Sequence, residues 1–272
     1  MRKNKNTVWL WLTLLGLAAA GACAQLPIET SGTNRPVSRA TLSAGAPEAP
    51  VPALPPRDTL GYETRAPRDP NGIGRYYLGR QIAHVMGHEG ADWLERDERT
   101  REEGTDLLVR ELRLKPTDVV ADIGAGTGFF AFRLARLVPR GRVLAVDIQP
   151  EMITELTERR AKNGLTNVRP VLGTTADPRL PADSVNVALI VDAYHEFDHP
   201  REMGLAIARA LRPGTGRLAL VEYRAEDPNV PIKAVHKMSV AQAKREMAAI
   251  GLELVEAREI LPQQHLLLFR RP

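Results

Sequence analysis

The chain has 272 residues, 43% hydrophobic and 26% charged, an ordinary globular composition with enough apolar side chain for one sizeable core. Its net charge of +4 is uneven: the +3 of Arg2, Lys3 and Lys5 and a balanced five bases and five acids in 24–70 leave +1 for 71–272, which excludes a basic domain built for nucleic acid. The single cysteine, Cys23, excludes an intramolecular disulfide and a thiolate metal cluster.

Residues 1–23 read as an address. A basic start precedes the apolar run Val8–Ala22, whose 15 residues fall short of the ~20 that span a bilayer and fit a secretory signal peptide. Ala20-Gly21-Ala22-Cys23 resembles a bacterial lipobox, with alanine in place of the usual leucine three residues before the cysteine. The expectation is export, with a lipid anchor at Cys23 on the periplasmic side of a membrane. An ordinary signal peptide cut near Ala22 or Ala24 and an uncleaved anchor are the alternatives, with a cytoplasmic location if the segment is no signal at all. Residues 24–70 hold nine of the 21 prolines and no helical or strand period, which predicts a disordered, semi-extended tether.

A helical lead-in or lid is expected over 71–114. Asp92 and Glu95 have the spacing of a capping box, and a helix is predicted from Trp93 to Leu114 with a solvated, charged middle carrying Glu95/Arg99 and Asp97/Arg101 pairs. His84 and His88 share a face of any helix there, as metal ligands, as pocket lining, or as ordinary core or surface histidines.

From 115 to 272 the pattern alternates. Apolar runs at 119–123, 143–146, 168–172, 185–191, 218–221, 252–255 and 266–269 are interleaved with helical segments at 129–138, 150–163, 201–211 and 240–250. This predicts an α/β fold, a doubly wound, mostly parallel sheet with helices on both faces. Ligands in such sheets bind beyond the carboxyl ends of the strands, where strand order reverses.

The first run ends in Asp122-Ile123-Gly124-Ala125-Gly126-Thr127-Gly128. Three glycines let backbone approach a ligand closely, and the helix that follows points free N–H groups at it. Asp147 ends the second run, where a carboxylate accepts hydrogen bonds from ribose hydroxyls. Phe129 stands where a dinucleotide fingerprint needs glycine, and Asp122 suits an ammonium group better than a pyrophosphate.

ADIGAGTG resembles motif I of the class I S-adenosylmethionine-dependent methyltransferases, and VLAVDIQ their second-strand motif. The segments LGTTADPRLPADSVNVALIVDAYHEF and LRPGTGRLALVEY are similar to their third- to fifth-strand regions. The resemblance covers about 115–270 and is nearest the small-molecule branch related to quinone biosynthesis. It implies a Rossmann-like seven-stranded sheet of order 3-2-1-4-5-7-6 with an antiparallel last strand. It also implies S-adenosyl-L-methionine as methyl donor. Asp122, Gly124, Gly126 and Gly128 would cradle its methionine part. Asp147 would hold the ribose, Ile148 would lie on the adenine, and Thr175, Ala176 and Asp177 would approach the adenine edge, where that branch more often carries acids at 175 and 176. Asp192 would sit beside the amino group.

His195-Glu196-Phe197-Asp198-His199 spells HExxH, but it follows a strand and runs into Pro200, so it lacks the helix that gives the motif its zinc geometry. No metal site is expected. His195 is instead the candidate catalytic base at the end of strand four, with Tyr194 and Glu196 orienting, or else pocket lining. His236 and Met238, in the loop after strand five, line the acceptor pocket or pack within that loop.

The function expected is methyl transfer to a small-molecule acceptor, with no nucleic-acid partner. An arsenite-type acceptor is disfavoured by the absence of cysteine from the core. A non-catalytic S-adenosylmethionine-binding or structural protein on the same fold, and an NAD-dependent oxidoreductase, are the alternatives.

Overall fold

A computed structural model describes residues 58–272. The expected signal peptide, Cys23 and the tether as far as residue 57 lie outside the described residues. Among the described residues no helix is long and apolar enough to cross a membrane.

The described residues open with strands where the end of a tether and a helical lead-in are expected. β1 (Tyr62–Thr64), β2 (Gly72–Tyr77) and β3 (Arg80–Ala83) form an antiparallel sheet. Leu78 and Gly79 join β2 to β3 as a two-residue turn with both φ angles positive, 46° and 91°, the twist that antiparallel strands prefer. Tyr62 stacks on Tyr77 with ring centroids 5.0 Å apart, and its hydroxyl donates to Glu202 at 2.6 Å.

The predicted helix Trp93–Leu114 is broken into α1 (Ala91–Leu94), α2 (Arg99–Glu103) and α3 (Thr105–Glu111). Gly104, at φ 64°, ends α2 in the left-handed region and starts α3. The capping box does not form: α1 has no side-chain cap, and Glu95 terminates it. The charged middle is solvated at Glu95, Asp97, Glu98 and Arg101 but not throughout. Arg99 and Glu103 are buried and bonded to each other at 3.0 Å, while Glu95 reaches away to Arg159 at 2.6 Å. The i,i+4 spacing is satisfied by a different pair because α2 begins only at Arg99.

The remaining elements follow the alternation. They are β4 (Val119–Ile123), α4 (Phe129–Leu137), β5 (Arg142–Asp147), α5 (Pro150–Lys162), β6 (Val168–Leu172), β7 (Val187–Val191), α6 (Pro200–Ala210), β8 (Arg217–Arg224), β9 (Lys237–Met238), α7 (Val240–Ala248), β10 (Glu253–Arg258) and β11 (Gln264–Arg270). The sheet order is β6-β5-β4-β7-β8-β11-β10, with β11 antiparallel to both neighbours. This is the expected 3-2-1-4-5-7-6, with the two-residue β9 added beside the end of β8.

Period-two alternation drives the sheet into two cores. Along β7, Val187 and Leu189 enter one core with α3 and α4; Ala188 and Ile190 enter the other with α6 and α7. β8 repeats the pattern, with Ala219 and Val221 on the first face and Leu218 and Leu220 on the second. Proline opens α5 and α6, where its missing N–H costs no helix bond, and the Ser239 hydroxyl caps α7 by accepting the Gln242 N–H at 3.1 Å. Strand order reverses between β4 and β7, which places the crevice at their carboxyl ends.

Candidate active site

A cavity of about 450 Å³ opens at that reversal, lined by Asp122, Gly124, Gly126, Asp147, Ile148, Thr175, Asp192, His195, Glu196 and His236, among others. Its floor is the turn after β4. Gly124 and Gly126 have φ 75° and 53°, and a Cβ there would stand 2.8 Å from Ala193 and 2.6 Å from Leu94. Only glycine allows this turn to lie so close to the β7 loop and to α1.

Three carboxylates ring that floor. Asp122 is buried at the end of β4, its Oδ2 has no hydrogen-bond partner, and burial pushes its carboxyl up to about 7. The first-turn N–H of Ala131 and the Arg99 guanidinium oppose this rise, and Asp147 adds to it. Asp192 follows β7 in the left-handed region at φ 48°. One of its oxygens accepts the Gln264 amide at 3.0 Å and Oδ1 has no partner, while burial and then Glu103 and Glu222 raise its carboxyl. Asp147, at the end of β5, is held in plane by the N–H groups of Gly126 and Gln149, both at 2.9 Å. Burial raises its carboxyl too.

The opposite end is a polar cluster. His195 is buried, and its Nδ1 lies 2.6 Å from Glu222 of β8. The other Glu222 oxygen accepts the backbone N–H groups of Tyr194 and His195 at 2.9 and 3.3 Å. Glu222 thereby sets the tautomer, with Nδ1–H donating, and turns Nε2 toward His236 Nδ1 at 3.1 Å. Burial lowers the His195 imidazole, but the Glu222 carboxylate more than offsets it and the net shift is upward. His236 is pushed down to about 4 by burial and by His195. Glu196 Oε2 accepts the Met86 N–H at 3.1 Å, and Gln149 donates to the Met86 carbonyl at 3.1 Å, so the segment after β3 closes over this end.

Several expected residues lie elsewhere. Tyr194 does not line the cavity: it is fully buried in the core against Phe197, with the Arg80 guanidinium 5.4 Å from its ring, so it cannot orient a substrate. Ala176 and Asp177 do not line it either; Asp177 turns back to accept the Arg179 N–H at 2.7 Å, leaving Thr175 alone at the wall. Gly128 supports the floor from behind, where a Cβ would meet Phe132 and Leu156. Met238 packs in the core, and His84 and His88 are exposed in a segment with no helix joining them. HExxH is split between a single 3-10 turn (Tyr194–Glu196) and His199, the residue before α6.

Two residues of the site were not anticipated. Arg80 of β3 forks onto Glu246 of α7 at 2.7 and 2.9 Å and donates its third bond to the His195 carbonyl at 3.1 Å. Nothing local in the sequence marks it. Glu222 did carry a signal, a lone acid inside the apolar strand Leu218–Tyr223; a buried acid in such a strand must have a partner.

The unpartnered, buried oxygens of Asp122 and Asp192 and the close-packed glycine floor fit S-adenosylmethionine: an ammonium needs anions, and a ribose needs the acceptor that Asp147 offers. Residues 120–214 match the family model described as a methyltransferase domain. The chain is 36% identical over 108 residues to an arsenite methyltransferase of Halobacterium salinarum, covering 39% of this chain and 27% of that protein. It is 32% identical over 135 residues to an uncharacterised methyltransferase-like protein of Schizosaccharomyces pombe, covering 49% of each. The chain thus spans about half the length, or less, of these curated relatives. The solved structure of a SAM-dependent methyltransferase from Aquifex aeolicus superposes with a TM-score of 0.65 at 21% identity, covering 69% of this chain and 100% of that one. The fold is that of the S-adenosylmethionine-dependent methyltransferases, and 120–214 is the stretch that matches the methyltransferase-domain model.

Proposed function

We propose that this protein transfers the methyl group of S-adenosylmethionine to a small-molecule nucleophile bound in the cavity. The observation that carries the reading is the pair of orphaned, buried carboxylate oxygens on Asp122 and Asp192, set around a glycine floor with Asp147 opposite. Uncompensated buried acids are costly, and a cationic ligand offsets that cost.

Asp122 and Asp192 bind the ammonium, Asp147 the ribose hydroxyls, and Ile148 and Thr175 flank the adenine. When bound, S-adenosylmethionine supplies an electrophilic methyl on a positively charged sulfur. His195, Glu196 and His236 then face the acceptor from the opposite wall. His195 Nε2, fixed by Glu222 behind it, is placed to take the acceptor's proton, and Glu196 to orient the acceptor. The apolar walls, Phe129, Phe197, Met203 and Trp93 among them, keep water from the displacement. A cavity of about 450 Å³ and the near-neutral charge of 71–272 favour a small acceptor over a nucleic acid.

Calorimetric titration of the purified protein tests this. S-adenosylmethionine and its demethylated product bind, and NAD does not; binding of NAD alone overturns the reading. Asp147→Ala weakens S-adenosylmethionine about 10–100-fold through loss of a charged hydrogen-bond acceptor, and an unchanged affinity removes Asp147 from the ribose site.

The protein is further proposed to be exported and lipid-anchored at Cys23. The basic start, the 15-residue apolar run and the small residues before the cysteine support this. Mass spectrometry of the mature N-terminus decides: a diacylglyceryl Cys23 is expected, and an intact Met1 contradicts it.

A further inference from the structure

We propose that His195, Glu196 and His236 bind one divalent transition-metal ion at the acceptor end of the cavity. The nearest ligand atoms are separated by 3.1 Å (His195 Nε2 to His236 Nδ1), 3.7 Å (His195 Nε2 to Glu196 Oε1) and 3.8 Å (His236 Nδ1 to Glu196 Oε1). The point equidistant from three atoms so spaced lies about 2.1 Å from each, the bond length of nitrogen and oxygen ligands to protein-bound zinc.

A hydrogen bond accounts for the His195–His236 separation but not for the placement of Glu196. Glu196 Oε1 is too far from either imidazole to accept a hydrogen bond, yet it is nearly the same distance from both. A shared central cation explains both facts.

The supports behind the ligands point the same way. Glu222 holds His195 Nδ1 at 2.6 Å, the carboxylate–histidine arrangement that orients ligating imidazoles. The Met86 N–H occupies the other oxygen of Glu196, leaving Oε1 as a single donor. Glu196 and Glu222 together balance a double positive charge. Two imidazoles and one carboxylate suit zinc, iron, cobalt or nickel over magnesium or calcium, and they leave coordination positions open to the cavity. His195 and Glu196 come from the HExxH letters, but the second histidine is His236, 41 residues on. His199 takes no part.

The use of the ion rests on the methyl-transfer reading; its binding does not. The ion lowers the pKa of an acceptor hydroxyl that coordinates it, and that proton passes to solvent. The oxygen forms a bond to the methyl carbon as the methyl–sulfur bond breaks, and the electron pair stays on sulfur and cancels its charge. The products are the methyl ether, S-adenosylhomocysteine and one proton. In this state His195 is a ligand instead of a proton acceptor.

The test is titration of the chelator-treated, full-length protein with Co²⁺, read by its visible d–d bands, and with Zn²⁺ by calorimetry. One ion per chain is expected. His236→Ala and Glu196→Gln each weaken binding at least about 100-fold, and Glu222→Gln weakens it about 10–100-fold. His199→Ala leaves it unchanged. Each variant is first shown to melt cooperatively without metal and to bind S-adenosylmethionine like the parent, so a loss of ion binding is not a loss of fold. No stoichiometric ion in the parent, or undiminished binding in His236→Ala and Glu196→Gln, overturns the site. Ion binding without any methyl transfer upholds the site and rejects the function proposed above. Undiminished transfer by metal-free protein overturns the ion's role and returns His195 to proton acceptor.

Discussion

Asp122 shows most directly how one residue couples binding, stability and pH. Burial lifts its carboxyl from 3.8 to about 7, with Arg99 on α2 and the Ala131 N–H on α4 opposing and Asp147 on β5 assisting. A cationic ligand needs the ionised form, so affinity for S-adenosylmethionine should rise with pH and level off above about 7. Calorimetry across pH 5.5–8.5 checks this, and Asp122→Asn should bind more weakly with the slope reduced. The same shift has a sign for stability. The folded pKa lies above the unfolded one, so the contribution is fully present below the unfolded value and is lost as pH rises through about 7. Asp122→Asn should therefore melt above the parent at pH 8, by ~2–4 °C for each kcal/mol regained, and alongside it at pH 4. A lower midpoint at pH 8 would falsify the account.

At the scale of elements, the β2–β3 hairpin is a clamp on the site. Its turn presents the Leu78 carbonyl to Gln242 at 3.3 Å, and its next residue, Arg80, joins α7 to the His195 backbone. Arg80 and Glu246 are both nearly sealed from water, with side chains 8% and 0% exposed. Replacing Arg80 with methionine strands the Glu246 charge, a change that costs about 3–5 kcal/mol at buried pairs. The predicted result is a clear drop in thermal midpoint for Arg80→Met. Double replacement, Arg80→Met with Glu246→Leu, should recover most of it, because an apolar pair of similar volume avoids the desolvation penalty. If the double variant melts no higher than the single one, the pair is not the source of the loss. The broken lead-in belongs to this scale too. Charge spacing over 92–114 fits a continuous helix, but Gly104 in the left-handed region divides it, and Arg99 and Glu103 then turn inward toward Asp122 and Asp192.

Over the whole molecule, the sheet was readable because each strand and helix carries its own periodicity. Runs such as Val143–Val146 and Val187–Val191 are apolar on both faces because helices cover both, and the glycines after β4 announce a tight turn. The N-terminal strands were not readable. They are short, lie among prolines and glycines, carry no sustained period-two pattern, and are tied down by Glu202 and Glu246 far along the chain. By itself, then, the sequence determined the α/β order, the glycine floor and the acids Asp122, Asp147 and Asp192 around it, since all follow from local pattern and strand ends. Only the tertiary structure decided that His236 meets His195 and Glu196, that Glu222 and Arg80 hold them, and that Tyr194 and Asp177 turn away. The reason is physical: periodicity records which face of an element is buried, whereas a polar contact across 27, 41 or 115 residues depends on how elements close upon one another, and no local spacing encodes it.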